Sequence, residues 1–153
     1  MEMNSSRRRW KYDPDAFCYM CSEYMMKEQK RNINYFVKRA YKAYFDMKLG
    51  HQNKPWAPHL ACKTCVESLR GWTKGKLRLN FAVQMVWREP KNHFDDCYFC
   101  LNDMKGFNKN KKKGWQYPSL DSVIRTVAHS EDLPVPVFTS LPELMEKMCF
   151  QPP

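Results

Sequence analysis

Three Cys-x-x-Cys units punctuate the chain: Cys18-Tyr-Met-Cys21, Cys62-Lys-Thr-Cys65 and Cys97-Tyr-Phe-Cys100. The chemistry this spacing suits is metal coordination. Zinc takes four Cys sulfur or His nitrogen ligands tetrahedrally, with no geometric demand from its d-electrons. Two cysteines separated by two residues can hold one ion from a single turn. The other two ligands must then come from elsewhere in the chain, so the ion ties distant segments together. The third unit is preceded by His93 in a His-x3-Cys-x2-Cys arrangement, which fits one compact loop.

Six paired cysteines plus two histidines make eight donors, enough for two structural zinc ions. The preferred assignment places Cys18, Cys21, Cys62 and Cys65 on one ion. His93, Cys97 and Cys100 take the second, with His59 and His129 competing for its fourth position. His129 is favoured, because it would clamp a long Pro-rich segment onto the core. An interleaved pairing of Cys18 and Cys21 with Cys97 and Cys100 has the same ligand count. His51 reads as a loop histidine and Cys149 as an unpaired thiol.

Seven cysteines are an odd number, which argues against a closed disulfide framework. The first ten residues are polar and basic with no apolar stretch behind them, so no secretory leader is read there. No run approaches the ~18 apolar residues of a membrane span. Paired thiols in a reducing compartment point to metal rather than to disulfides.

The elements that must position these donors follow from periodicity. Residues 1–12 read as a basic, flexible lead-in containing Arg7, Arg8 and Arg9. Residues 13–139 read as one zinc-binding domain. Its first part, 13–75, holds the first two Cys pairs and a long amphipathic helix over 27–49. Ile33, Phe36, Val37, Ala40, Tyr41, Tyr44 and Phe45 form its apolar face, and Gly50 its stop. A short helix starts at or near Cys65, where its free N–H groups favour a thiolate. The second part, 76–139, alternates apolar and polar over 76–88, which means a strand or a hairpin. It then carries the third Cys pair and an extended wrap over 114–139. Residues 140–153 read as a tail. The fold class expected is a small zinc-stabilised α+β domain, treble-clef-like.

The 153-residue chain has 26 Lys+Arg against 16 Asp+Glu, a formal net charge of +10. Six thiolates and two divalent ions would lower this only to about +8. A basic protein favours acidic partners, nucleic acid above all. Candidate contacts are Arg7, Arg8 and Arg9, the Lys38, Arg39 and Lys42 face of the helix, and the loop carrying Lys109, Lys111, Lys112 and Lys113. Trp10, Tyr98 and Trp115 are candidate stacking residues. Catalysis is not expected. His129-Ser130-Glu131 gives the His-x-Glu of zinc deaminases, but it follows every Cys pair and no pair follows a proline. Neither a Gly-rich phosphate loop nor a Gly-x-Ser-x-Gly elbow is present. The expected role is non-enzymatic DNA or RNA binding in the nucleus. The alternatives are a protein-interaction or homodimerisation module and a cytoplasmic location. No membrane and no small-molecule substrate are expected as partners.

Two resemblances attach to these residues. From Cys18-x-x-Cys21 through a helix to His59-Leu-Ala-Cys62-x-x-Cys65-Val-Glu-Ser-Leu69, the chain resembles the zinc-finger-associated domain of insect transcription factors. That resemblance implies one zinc held by two Cys pairs in a treble-clef-like fold, and dimerisation through a long helix. It ends after Trp72, since that family has nothing like the third pair. The segments Trp56-Ala-Pro-His59-x-x-Cys62, Met85-Val-Trp87-Arg88-Glu89-Pro90-x-Asn92-His93 and Asp96-Cys97-Tyr98-Phe99-Cys100 are similar to a group of uncharacterised Cys/His proteins expanded in invertebrate genomes. Tyr117-Pro118-x-Leu120 and His129-Ser130 are similar as well. This second resemblance covers most of the chain and implies relatedness rather than an activity.

Overall fold

The computed structural model describes residues 13–108, 110–112 and 114–144. The basic lead-in with Arg7, Arg8 and Arg9, the loop residues Lys109 and Lys113, and Cys149 lie outside these residues.

The chain enters through a 3-10 turn, Pro14–Ala16, capped by the Asp13 carboxylate, which accepts from the Asp15 N–H at 2.9 Å. A tight loop follows, closed by a bridge between Phe17 and Tyr24. A second 3-10 turn, Lys27–Gln29, leads into strand β1 (Lys30–Asn32), which pairs antiparallel with β2 (Leu60–Cys62). Helix α1 (Tyr35–Phe45) starts at Asn34, whose side chain accepts from the Val37 N–H at 2.9 Å. It stops at Asp46, which sits in the left-handed region at φ 56°.

The long helix expected over 27–49 is therefore corrected to a turn, a strand and an 11-residue helix. The periodicity had identified the right face, because Val37, Ala40, Tyr41 and Tyr44 are buried. It overran at both ends. Residues 30–32 satisfy their backbone groups across a strand pair, and Asn34 and Asp46 end the helix on either side.

Helix α2 (Lys63–Thr73) leaves β2 directly and packs against α1 through Val66, Leu69 and Trp72. The alternating stretch 76–88 resolves into β3 (Phe81–Val83) and β4 (Val86–Trp87), which do not pair with each other. β4 pairs with β5 (Val123–Ile124), and β3 pairs with β6 (Val127–Ala128). The segment expected as an extended wrap thus supplies the strand partners. A one-turn helix, α3 (Tyr98–Leu101), carries the third Cys pair.

Among the described residues no strand exceeds three residues, and aromatic packing joins the elements. Trp87 stacks on Phe99 with centroids 5.6 Å apart, and Phe17 lies 5.4 Å from both Tyr98 and Phe99. The Trp87 indole N–H donates to the Tyr19 carbonyl at 2.8 Å, and the Tyr98 hydroxyl to the Ser22 carbonyl at 2.9 Å. The spacer residues within two of the Cys-x-x-Cys units are thus core: Tyr19 and Met20 in the first, Tyr98 and Phe99 in the third. Tyr98, expected as an exposed stacking residue, is 1% exposed and belongs to this core. Trp115 is half-buried against Phe107. Among the described residues no helix is long and apolar enough to cross a membrane.

Candidate metal centres

The first centre is assembled by two local devices. The loop at 17–24 folds over its own cysteine. The Cys18 Sγ accepts from the N–H groups of Met20 at 3.3 Å and Cys21 at 3.4 Å. The turn is sealed by Ser22 N–H to the Cys18 carbonyl and Cys18 N–H to the Glu23 carbonyl, both 2.9 Å. It requires a positive φ of 68° at Ser22, a position more natural to glycine. The second device is the N-terminus of α2. Cys62 is its N-cap, with Sγ accepting from the Cys65 N–H at 3.4 Å, so both thiols sit where the helix dipole favours negative charge. Pairing of β1 with β2 brings the devices together, and the Cys62 N–H completes the join by donating to Cys18 Sγ at 3.2 Å.

The result is four sulfur atoms, from Cys18, Cys21, Cys62 and Cys65, all within 4.8 Å of one another. The Cys21 and Cys62 sulfurs are 3.9 Å apart. A disulfide needs ~2.05 Å. A tetrahedron with metal–sulfur bonds of ~2.3 Å has an edge of roughly 3.8 Å. The donor set therefore fits a tetrahedral thiolate-bound ion and not a disulfide, and all four cysteines are free thiols.

Electrostatics make the same point. Four thiolates cannot share so small a space without a cation. The Cys62 thiol is held far below its usual range by hydrogen bonds from Cys18, Cys21 and Cys65. The thiols of Cys21 and Cys65 are pushed well above theirs, first by hydrogen bonding to Cys18. The charged form is disfavoured at Cys21 and Cys65, a cost that a divalent ion removes.

The second centre gathers His93, Cys97 and Cys100, again with all donor atoms within 4.8 Å. The Cys100 sulfur lies 3.4 Å from His93 Nδ1, close to the roughly 3.6 Å edge expected between a metal-bound sulfur and nitrogen. Burial pushes the Cys97 thiol up to about 12. The loop leading in is shaped by Asn92, whose side chain accepts from the Phe94 and Asp95 N–H groups at 3.0 and 2.8 Å. Asp96 anchors it. This buried carboxylate accepts from the Lys91 N–H at 2.9 Å and the Ser122 N–H at 3.2 Å, and the Ser122 hydroxyl donates to the Asp96 carbonyl at 2.6 Å. Sequence reasoning missed Asp96. Its signal is an acidic residue directly before the Cys pair, a position easily read as solvated charge.

The cysteine pairing thus follows the preferred assignment, with Cys18 and Cys21 facing Cys62 and Cys65 rather than Cys97 and Cys100. Among the described residues no fourth His, Cys, Asp or Glu joins the second set within that spacing. His129 and His59 are held elsewhere. His129 Nδ1 lies 3.0 Å from the Leu133 carbonyl, so in the neutral ring that nitrogen carries the proton. Its Nε2 then accepts from the Tyr44 hydroxyl at 2.6 Å, which occupies the lone pair a metal would use. His129 does fasten the C-terminal segment to the core, by a hydrogen bond to α1. His59 contacts Asp15: its backbone N–H donates to the carboxylate at 2.8 Å, and its Nδ1 lies 3.1 Å from the same oxygen.

The basic candidates separate in a similar way. The Arg39 guanidinium donates to the carbonyls of Leu141 and Pro142 at 3.0 and 2.9 Å, so it binds the chain's own C-terminal segment. Lys38 and Lys42 are half-buried, Lys111 is exposed and Lys112 is half-buried. Lys74, Lys76 and Arg78 stand exposed in a row between α2 and β3. The alternation over 76–88 puts Arg78 on its polar face and does not reach Lys74. Their signal was the Lys-x-Lys-x-Arg spacing just after a helix.

The chain matches no family model, no curated protein and no solved structure. The site chemistry therefore carries the functional reading.

Proposed function

We propose that this chain is a non-enzymatic zinc-binding module of the nucleus that contacts nucleic acid through basic surfaces, with zinc in a structural role. The observation that carries the metal reading is the convergence of four sulfurs from two segments about 40 residues apart. The treble-clef-like reading is supported by one ligand pair coming from a tight loop and the other from a helix N-terminus. Zinc is favoured over other ions because it suits tetrahedral all-sulfur and sulfur–nitrogen sets. The first set closes with four protein ligands, as structural sites do. Nucleic-acid contact is supported by the net charge of +10 and by the exposed row of Lys74, Lys76 and Arg78, which adds to Lys111 and Lys112.

Native mass spectrometry of the reduced protein, with circular dichroism before and after a chelator, tests the metal reading. Two zinc ions, and loss of structure on stripping, are expected. No bound metal and an unchanged spectrum would overturn it. Nucleic-acid affinity measured across a salt series should then fall steeply as salt rises. A second reading, a protein-interaction or homodimerisation module, is favoured by Phe94 and Val137, which are 79% and 85% exposed. Sedimentation velocity showing a dimer, with no salt-dependent nucleic-acid binding, would move the assignment there.

A further inference from the structure

Beside the first metal centre lies a cavity of about 370 Å³, with Cys21, Cys62 and Cys65 in one wall. Its other walls carry Glu23, Lys112 and Arg125 as charged groups and Leu79 and Phe81 as apolar ones. Among the described residues, none of the three charged side chains forms an ion pair with another. Arg125 is held in place. Its guanidinium lies 5.5 Å over the Tyr117 ring, and its Nε is buried with no hydrogen-bond partner. Tyr117 is itself fixed, since its hydroxyl accepts from the Tyr24 N–H at 3.0 Å and its ring stacks on Tyr98. The cavity thus has a positioned guanidinium and a carboxylate in the same lining.

Charge and size narrow the occupant. With a divalent ion bound, four thiolates leave the metal wall at −2, which Lys112 and Arg125 offset. Lys112 and Arg125 also act on Glu23, so the lining as a whole stays near −1 and a bare anion gains little here. The fitting ligand must offer acceptors to Arg125 and donors to Glu23. Ligand cavities run from ~300 Å³ upward, so this one suits a single nucleotide-sized group and not a folded segment. Guanine is the nucleobase with two acceptors, O6 and N7, on one edge and two adjacent donors, N1–H and N2–H, on the next. N1–H, and the two donors together, are exposed only when the base is unpaired.

We propose that this cavity takes one unpaired guanine of a single-stranded nucleic acid. Arg125 reads O6 and N7, and Glu23 accepts from N1–H and N2–H. The base lies along Leu79 and Phe81. This rests on the nucleic-acid reading above and specifies its contact.

The test uses the metal-loaded full chain and fluorescence anisotropy with labelled eight-nucleotide strands. One is uridine throughout. The other carries a single central guanine. Thymidine-based DNA versions are run alongside to tell RNA from DNA. The guanine strand should bind about 10- to 100-fold tighter at matched salt. Arg125→Gln and Glu23→Gln should each remove that preference while retaining metal and the weaker binding of the uridine strand. Lys76→Gln should weaken both strands alike. Equal affinity for the two strands, or a preference that survives both substitutions in variants still holding metal, overturns the proposal while leaving general nucleic-acid binding intact. Failure of both strands to bind at low salt overturns both.

Discussion

Cys18 should be the most consequential residue of the first centre, and the structure says by how much. Cys18→Ala and Cys65→Ala each remove one of four metal ligands and truncate a buried side chain, 0% and 5% exposed. The loss of metal affinity is common to both. What differs is the second layer of contacts. The Cys18 sulfur accepts three backbone N–H groups, from Met20, Cys21 and Cys62, at 3.2–3.4 Å. Among the described residues no backbone N–H donates to the Cys65 sulfur. A net hydrogen bond is worth ~0.5–1.5 kcal/mol. Weak sulfur acceptors belong at the low end, so three such bonds come to about 2 kcal/mol. The Cys62 bond also joins the loop to β2, so its loss loosens the approach of the two ligand pairs. Urea unfolding of both variants under chelator should place Cys18→Ala about 2 kcal/mol below Cys65→Ala. With zinc restored the ordering should persist. Equal stability of the two chelated variants would refute the argument that N–H donation to Cys18 shapes the site before metal arrives.

Ser22→Gly should stabilise the protein by about 1 kcal/mol in urea midpoints. It removes left-handed strain at φ 68° and a buried hydroxyl without a partner, against a smaller entropy cost in the unfolded chain. Asp96→Asn should destabilise by roughly 1–3 kcal/mol, because one amide oxygen cannot serve both the Lys91 and Ser122 N–H groups; thermal melts read it. His129→Leu should leave both metal ions in place while weakening the fold, measured by mass spectrometry and melting; loss of one ion would restore it as a ligand. pH should act oppositely on the two forms. In the metal-free protein, Cys21, Cys65 and Cys97 have raised thiol pKa values, the last at about 12, so the folded state keeps protons that the unfolded chain releases near ~8.5. Their stabilisation is complete below that value and declines as pH rises toward about 12. Metal uptake instead expels these protons, so zinc affinity should climb between neutral and mildly alkaline pH, followed by competition with a chromogenic chelator.

The helix face of α1 was legible because burial imposes a 3.6-residue period, and Val37, Ala40, Tyr41 and Tyr44 obey it. Its ends were not, because Asn34 and Asp46 are weak local signals beside the strand pairing that claims 30–32. The alternation over 76–88 correctly marked strands, but the pairing partners come from 123–128, and alternation carries no information about partners. The basic face of α1 read as a free binding surface. Instead Arg39 holds Leu141 and Pro142, a contact across about 100 residues that composition cannot reveal.

The sequence by itself determined which atoms could bind a metal. Cys-x-x-Cys spacing is a local property of the chain, fixed by bond lengths and turn geometry. It brings two sulfurs to one side of a turn wherever the turn is placed. Tertiary structure decided which pairs meet. β1–β2 pairing carries Cys62 and Cys65 to Cys18 and Cys21, while the third pair takes its histidine, His93, from its own loop. It also decided the fate of the histidines. A histidine that meets an acid or a tyrosine in space looks identical, in sequence, to one aimed at a metal. Tyr44 and Asp15 are brought to His129 and His59 by packing across 85 and 44 residues, and only that packing shows where their nitrogens are engaged.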